Sequence, residues 1–471
     1  MAQDQPRDLA LWSATALIEG YRRKAVSPVE ATDAALQRIE RLDGQLNAFN
    51  LVDRDGARAA ARASEARWQR GQPAGLVDGV PTTVKDIVLT KGWPTLRGSK
   101  TVDPNQAWDE DAPAVARLRE AGAVLLGKTT TPEFGWKAIG DSPLTGITRN
   151  PWNLAHTPGG SSAGAASATA VGLGALAIGT DGAGSIRIPC SFTGLFGIKA
   201  TFGRVPAYPP SAFGLVSHVG PMTRTVADGA LMLTVLAGAD WRDSYALPPD
   251  GRDYRAGIDD GIKGLRIGFS PDLGYAPVDP EVARAVADAV NVFTELGAVV
   301  ETVAPPFTDP RAAELVLWSA PTIKLLSEMT EAQRALLDPG LKRMAEIGRG
   351  YSARDYVAAD QVRTALGQAM AAFHQRYAVL LTPTVSVPAL PVGRDTLDAS
   401  PDALWIDWAP FTYPFNLTRQ PAASVPCGLT RSGLPIGLQI VGPLYDEPTV
   451  LRAARAFERA RPFPLCPMAT A

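Results

Sequence analysis

A chain of 471 residues, 46% hydrophobic and 20% charged, can bury a large core. Its 46 Lys+Arg against 48 Asp+Glu leave a formal net charge of -2, which gives no footprint for nucleic acid or an acidic surface. Three cysteines, Cys190, Cys427 and Cys466, lack CxxC spacing and point away from a disulfide framework, toward a reducing, cytoplasmic setting.

In chain order, MAQDQPRDLALW has neither a basic nor an apolar leader region, so no signal peptide is expected. Residues 7–70 read as helical. Ser27-Pro28 is a start signal, residues 29–42 carry apolar side chains at helical spacing, and 57–70 suit an exposed helix. Around Pro81, Val80, Val84, Ile87 and Val88 predict a short strand ending in a loop. Lys85 sits among these apolar neighbours, either with its ammonium reaching water or as a desolvated amine able to act as a base. Residues 111–121 read as helix, 123–126 as strand, and TTTPEFGW (129–136) as a polar loop with aromatics. Helix–strand alternation continues to about residue 240, as in an α/β core with a central sheet.

Residues 156–204 hold eleven of the chain's 44 glycines, and from Asn150 to Ile198 the only charged residues are Asp181 and Arg187. A run so poor in charge must be buried, yet it contains two serine clusters, GGSS (159–162) and GAGS (182–185). Hydroxyls in buried, glycine-flanked loops are costly in a purely structural segment. Residues 163–171 are expected as a tightly packed helix and 176–178 as a buried strand left by the TDGAGS loop, rather than as a membrane span.

Beyond residue 240, 241–261 reads as a surface excursion, 264–269 as strand, 280–296 as helix and 298–303 as strand. Residues 311–376 look helical, with 351–377 the longest candidate, followed by a strand at 378–381 and a proline-rich loop. An aromatic cluster (Trp405, Trp408, Phe411, Tyr413, Phe415) precedes a strand at 434–440 and a helix at 449–459.

The three histidines, His156, His218 and His374, are scattered and fit no metal motif, so neither a metal nor another cofactor is expected. Two serine chemistries compete. GSSAG (160–164) has the form of a nucleophile elbow with Ser162 attacking, but the preceding NLAHTPG reads as loop where the elbow needs a strand. The other pairs Ser161 and Ser185 with Lys85, a lysine replacing the scarce histidine as base if burial keeps it neutral.

GGSSAGAASATA (159–170), TDGAGSIRIP (180–189), VKD (84–86), GPMTRTVAD (220–228) and FNLTRQPAASVPCG (415–428) closely resemble the amidase signature family of serine hydrolases. The resemblance covers roughly 20–240 and 378–460, with 241–375 least recognisable. It implies an α/β fold in a single large amidase domain over 1–471, with a central mixed sheet flanked by helices. Within it, residues 1–70 would be N-terminal helices, 75–240 the signature core, 241–377 a variable and partly helical cap, and 378–471 a return to the core. It implies Ser185 as nucleophile, Lys85 as general base and Ser161 as the bridging serine, with a cis peptide bond at Ser161. Backbone N–H groups of Gly182, Ala183 and Gly184, together with Ser185, would form the oxyanion hole. Ala183 stands where many relatives have glycine and is expected to narrow the acyl pocket. Asp181 and Arg187 are expected to serve structure, satisfying backbone groups or each other.

The implied reaction is hydrolysis of a small aryl or alkyl carboxamide through an acyl-enzyme. The alternatives are carbamate (urethane) or urea hydrolysis by the same triad, and the amidase subunit of a tRNA-dependent amidotransferase. Phe134, Trp136 and the 405–415 rings suggest an apolar or aromatic substrate. The partner is expected to be that small molecule, with no nucleic acid and no membrane; a homo-oligomer is compatible with the sequence.

Overall fold

The alternating segments converge on one sheet in a computed structural model that describes residues 6–398, 400 and 402–470. In chain order its strands are Phe49–Val52 (β1), Pro81–Lys85 (β2), Val124–Thr129 (β3), Leu176–Asp181 (β4), Phe196–Lys199 (β5), His218–Thr223 (β6), Arg266–Phe269 (β7), Val299–Thr302 (β8), Val379–Pro383 (β9), Ala422–Leu429 (β10) and Pro435–Val441 (β11). Across the 11-stranded sheet they run β1-β3-β2-β4-β6-β5-β10-β11-β9-β7-β8. The strand β2 is parallel to both β3 and β4. From β4 to β9 each neighbouring pair is antiparallel, and β9, β7 and β8 are parallel again. The chain is a single α/β domain whose large mixed sheet is flanked by helices.

Local signals explain the helices. Ser27 caps Pro28–Leu46 in a capping box with Glu30, and Pro28 occupies the first turn where its missing N–H costs nothing. Every residue of Ala163–Ala170 is buried. Its small side chains allow that, and an added Cβ on Gly164 would fall 2.2 Å from the Ala48 carbonyl oxygen. The charge-poor run therefore forms a buried helix followed by β4. Among the described residues no helix is long and apolar enough to cross a membrane.

Two expectations change. Residues 7–70 are not wholly helical, because β1 separates Pro28–Leu46 from Arg54–Gln69 and pairs with β3. The partly helical cap expected over 241–377 has helices without strands only after β8, because the strands expected at 264–269 and 298–303 do form, as β7 and β8, and make the far edge of the sheet. The helices Arg311–Ser327, Glu331–Ala335, Pro339–Arg349 and Ala353–Phe373 follow, and Pro339–Arg349 and Ala353–Phe373 both pack on Arg311–Ser327.

The helix Arg311–Ser327 carries a carboxyl group into the interior. Glu314 is fully buried, and both its oxygens lack a hydrogen-bond partner among the described residues. Burial pushes its pKa from 4.5 up to about 8. Between those values the folded chain holds a proton that the unfolded chain has released, so this group's contribution to stability falls as pH rises. Glu314→Gln cannot ionise and removes that slope. Urea unfolding at about pH 5 and about pH 8 should show the variant gaining on the parent by about 1–3 kcal/mol across the interval.

Candidate active site

Parallel pairing of β2 with β3 and β4 brings three strand C-termini to one edge, where open α/β sheets bind ligands. Lys85 ends β2, in register with Thr129 of β3, and is 0% exposed. Its Nζ lies 2.7 Å from Ser161 Oγ and 2.7 Å from Thr180 Oγ1. No carboxylate lies within ion-pair distance of it among the described residues. The ammonium therefore does not reach water, and among the described residues its only hydrogen-bond partners are hydroxyls. Burial drives the pKa well below the ordinary lysine range, outweighing the opposing field of Asp181. The amine is thus held toward its neutral form.

Ser161 and Ser185 line one cleft beside this amine, with Thr180 and Gly182. The Gly160–Ser161 peptide bond is cis, and the Ser162 N–H donates to the Ser185 carbonyl at 3.3 Å. The Ser185 hydroxyl makes no hydrogen bond among the described residues. Ser162 is occupied elsewhere: its hydroxyl donates to the Thr180 carbonyl and accepts from the Thr180 N–H, each at 3.2 Å. It is 0% exposed, and among the described residues no histidine hydrogen-bonds any of these serines. The nucleophile-elbow reading fails on both counts.

Asp181 organises the loop between the strand and Ser185. Its carboxylate accepts the N–H of Gly184 at 2.7 Å and of Ile186 at 3.2 Å, and two hydrogen bonds from the Arg187 guanidinium at 2.9 Å each. Burial would raise its pKa, but Arg187 and then Lys199 outweigh that and hold it below the usual carboxylate range. The Gly184 N–H is therefore already committed to Asp181, which corrects its expected place among the oxyanion donors. The N–H groups of Gly182, Ala183 and Ser185 have no acceptor among the described residues. Gly184 has φ +130, and a Cβ there would come within 2.5 Å of Thr412 Oγ1, so glycine is required. Ala183 does not narrow the cleft: it is buried in a core cluster with Ile188 and Trp408, and its carbonyl accepts from the Thr412 hydroxyl.

The cleft walls differ from expectation. Phe134 lines the cleft, but Trp136 is packed behind it, where a Cβ on Gly340 would meet its ring at 2.4 Å. The 405–415 rings are core: Trp408 stacks on Phe192, and Trp405 meets Trp318 edge-on. The aromatic wall of the cleft is instead half-buried Phe213 stacked on buried Trp318, with ring centroids 4.0 Å apart and planes at 18°. Trp318 also reaches the reactive loop, since a Cβ on Gly182 would fall 3.0 Å from its ring.

A family model described as Amidase matches residues 30–451. The chain belongs to the amidase family. It is similar to an acylamidase of Rhodococcus erythropolis, 37% identical over 461 residues that cover 96% of each chain. It is also similar to a glutamyl-tRNA(Gln) amidotransferase subunit of Geobacter metallireducens, 38% identical over 472 residues, covering 94% of this chain and 96% of that one. Among solved structures, a bacterial aryl acylamidase of the amidase signature family superposes with a TM-score of 0.89 at 33% identity over 96% of each chain. The protein is an amide-hydrolysing enzyme.

Two features of this amidase's site have no counterpart in the linear sequence pattern. Thr180 lies in the TDGAGS segment, yet nothing in its spacing shows a hydroxyl 2.7 Å from Lys85. Phe213 lies outside the motifs, a few residues before GPMTRTVAD, and Trp318 comes from a segment far from any of them. The Asp181–Arg187 pair is wholly buried, and Arg187 also donates to the Thr412 carbonyl and Gln439 Oε1. Arg187→Met leaves Asp181 buried without its counter-charge, a loss of about 3–5 kcal/mol. Equilibrium denaturation should show that drop, and a midpoint unchanged from the parent would contradict this account of the loop.

Proposed function

We propose that this amidase cleaves the carbon–nitrogen bond of a small aryl or alkyl carboxamide, with Ser185 as nucleophile, Ser161 as proton relay and Lys85 as base. The observation that carries the reading is the buried Lys85 amine, 2.7 Å from Ser161 Oγ and without a carboxylate partner, in the cleft that holds Ser185. A neutral amine has a lone pair to accept the Ser161 proton while its own N–H donates to Thr180. As Ser161 gives up that proton it takes one from Ser185, whose oxygen attacks the amide carbon. The Ser185–Ser161 hydrogen bond is not made in this structure and closes as substrate seats, as catalytic hydrogen bonds commonly do.

Negative charge then develops on the former carbonyl oxygen. The free N–H groups of Gly182, Ala183 and Ser185 are the available donors, and losing one such donor typically costs about 10²–10³ in rate. Lys85 returns its proton through Ser161 to the leaving nitrogen, the C–N bond breaks, and the acyl group stays on Ser185. Water, deprotonated by the same relay, releases the acid. Carbamates present the same carbonyl and fit the same steps.

A second reading rests on the amidotransferase relatives. In it the same triad uses glutamine and delivers ammonia to a partner protein. Assays with anilides, primary amides, carbamates and glutamine separate the two: anilide turnover by the chain alone favours the hydrolase, whereas glutamine-only activity favours the amidotransferase role.

Lys85→Met and Ser185→Ala should each abolish turnover, and Ser161→Ala should lower kcat by about 10² or more. Full activity in Ser185→Ala would end the proposal. Because only the neutral amine is competent and burial lowers its pKa, kcat/KM should rise with pH through a value well below an ordinary lysine's and then level off. A profile flat down to about pH 5 argues against a lysine base.

A further inference from the structure

The reaction as proposed needs no charge in the cleft beyond the reacting groups, yet one is there. Arg97 lines the cleft, and no other Lys, Arg, Asp or Glu does so among the described residues. Its neighbours along the wall include Ile87, Val88 and Phe134. The Arg97 guanidinium makes no hydrogen bond and no ion pair among the described residues. The acid whose field reaches it, Asp86, is already engaged: it accepts from Asn50 Nδ2 at 3.0 Å and from the Leu96 N–H at 3.2 Å, and its Oδ1 lies 3.8 Å from Lys128 Nζ. Burial pulls the Arg97 pKa below its ordinary value, with Asp86 opposing.

The backbone makes this placement harder to explain as packing. Arg97 has φ 57, a left-handed conformation that a long side chain adopts at a cost and that glycine or asparagine takes more readily. The Arg97 N–H donates to the Asp86 carbonyl at 2.9 Å, and the Phe134 N–H donates to the Arg97 carbonyl at 2.7 Å. Those bonds tie Arg97 directly between the strand end after Lys85 and the aromatic wall. Any side chain would satisfy them. A partly desolvated guanidinium with five N–H donors and no acceptor is instead matched to a planar anion.

We propose that Arg97 is a specificity residue that receives a carboxylate carried by the substrate away from its scissile amide. The preferred substrates are then amides of mixed character, an apolar or aromatic body against Phe134, Phe213 and Trp318 with one carboxylate. Bidentate pairing of guanidinium and carboxylate in an otherwise uncharged cleft is the interaction that would select them. The inference rests on the amide-hydrolase reading for the identity of the cleft, but not on the roles of the three reacting groups.

Two matched ligand pairs test it on the full chain. On the amine side, para-acetamidobenzoate is set against para-nitroacetanilide, its neutral planar counterpart. On the acyl side, glutaric acid monoanilide is set against valeric anilide. Affinities are measured by calorimetry in Ser185→Ala. In at least one pair the carboxylate member should bind about ten- to hundredfold more tightly. That ratio should fall to near one when Arg97→Gln is added and should be partly kept with Arg97→Lys. In the otherwise unaltered enzyme, the Arg97→Gln penalty on the carboxylate substrate should appear in KM rather than kcat. Equal affinities within both pairs overturn the proposal. So does a preference that survives Arg97→Gln, or survives Arg97→Met should the Gln variant melt early. The binding ratio is read without turnover. Failure to hydrolyse any amide counts against the catalytic reading, whereas hydrolysis without carboxylate preference counts against Arg97 alone.

Discussion

The whole site depends on one buried ion pair. Asp181 and Arg187 are both fully buried, six residues apart, and between them gather groups from distant parts of the chain. Asp181 takes the N–H of Gly184 and the side-chain amide of Asn416, and Arg187 reaches the Thr412 carbonyl and Gln439 on β11. Gln439 in turn donates to Thr382 on β9 and to the Phe411 carbonyl. The TDGAGS segment and the stretch from Phe411 to Gln439, far apart along the chain, are locked together at this point. The loop carrying Ser185 is stretched between the strand end and this anchor, so its free N–H groups have a fixed direction.

The pair also explains how a lysine can be neutral so near a carboxylate. An unpaired Asp181 would favour the ammonium form of Lys85 and keep it from accepting a proton. With Arg187 balancing that carboxylate, burial decides the matter, and among the described residues the amine is left with hydroxyl partners alone. Lys199 is itself buried and pushed well below its ordinary pKa, first by desolvation and then by Arg187.

Legibility in the sequence followed the physics of each element. Strands that carry a short apolar run, such as Leu176, Ala177 and Ile178 in β4 or Val379, Leu380 and Leu381 in β9, could be read directly. β6 and β10 could not, because Pro221 and Pro426 lie inside them and proline argues against an interior strand. The structure accommodates Pro426 beside a register shift in the β10–β11 ladder. β5 was hidden by Lys199, a charged residue that is buried here. In the site, Lys85, Ser161 and Ser185 stood out because their motifs are local. The engaged Gly184 N–H, the Thr180 hydroxyl and the Trp318 wall depend on contacts between segments far apart in the chain or on backbone direction, which a linear pattern does not encode.

Trp318 sits on a helix far along the chain from the glycine- and serine-rich segment, yet its ring lies over Gly182 beside Ser185. Pro321, Thr322 and Leu325 of the same helix continue the cleft wall. The ceiling of the pocket and the machinery beneath it are thus written in separate passages of the gene. Substitutions in that one helix can recut the shape a substrate must have while the hydroxyls and the amine stay where they are. On the proposed chemistry, what is cleaved can in this way change separately from how cleavage is done.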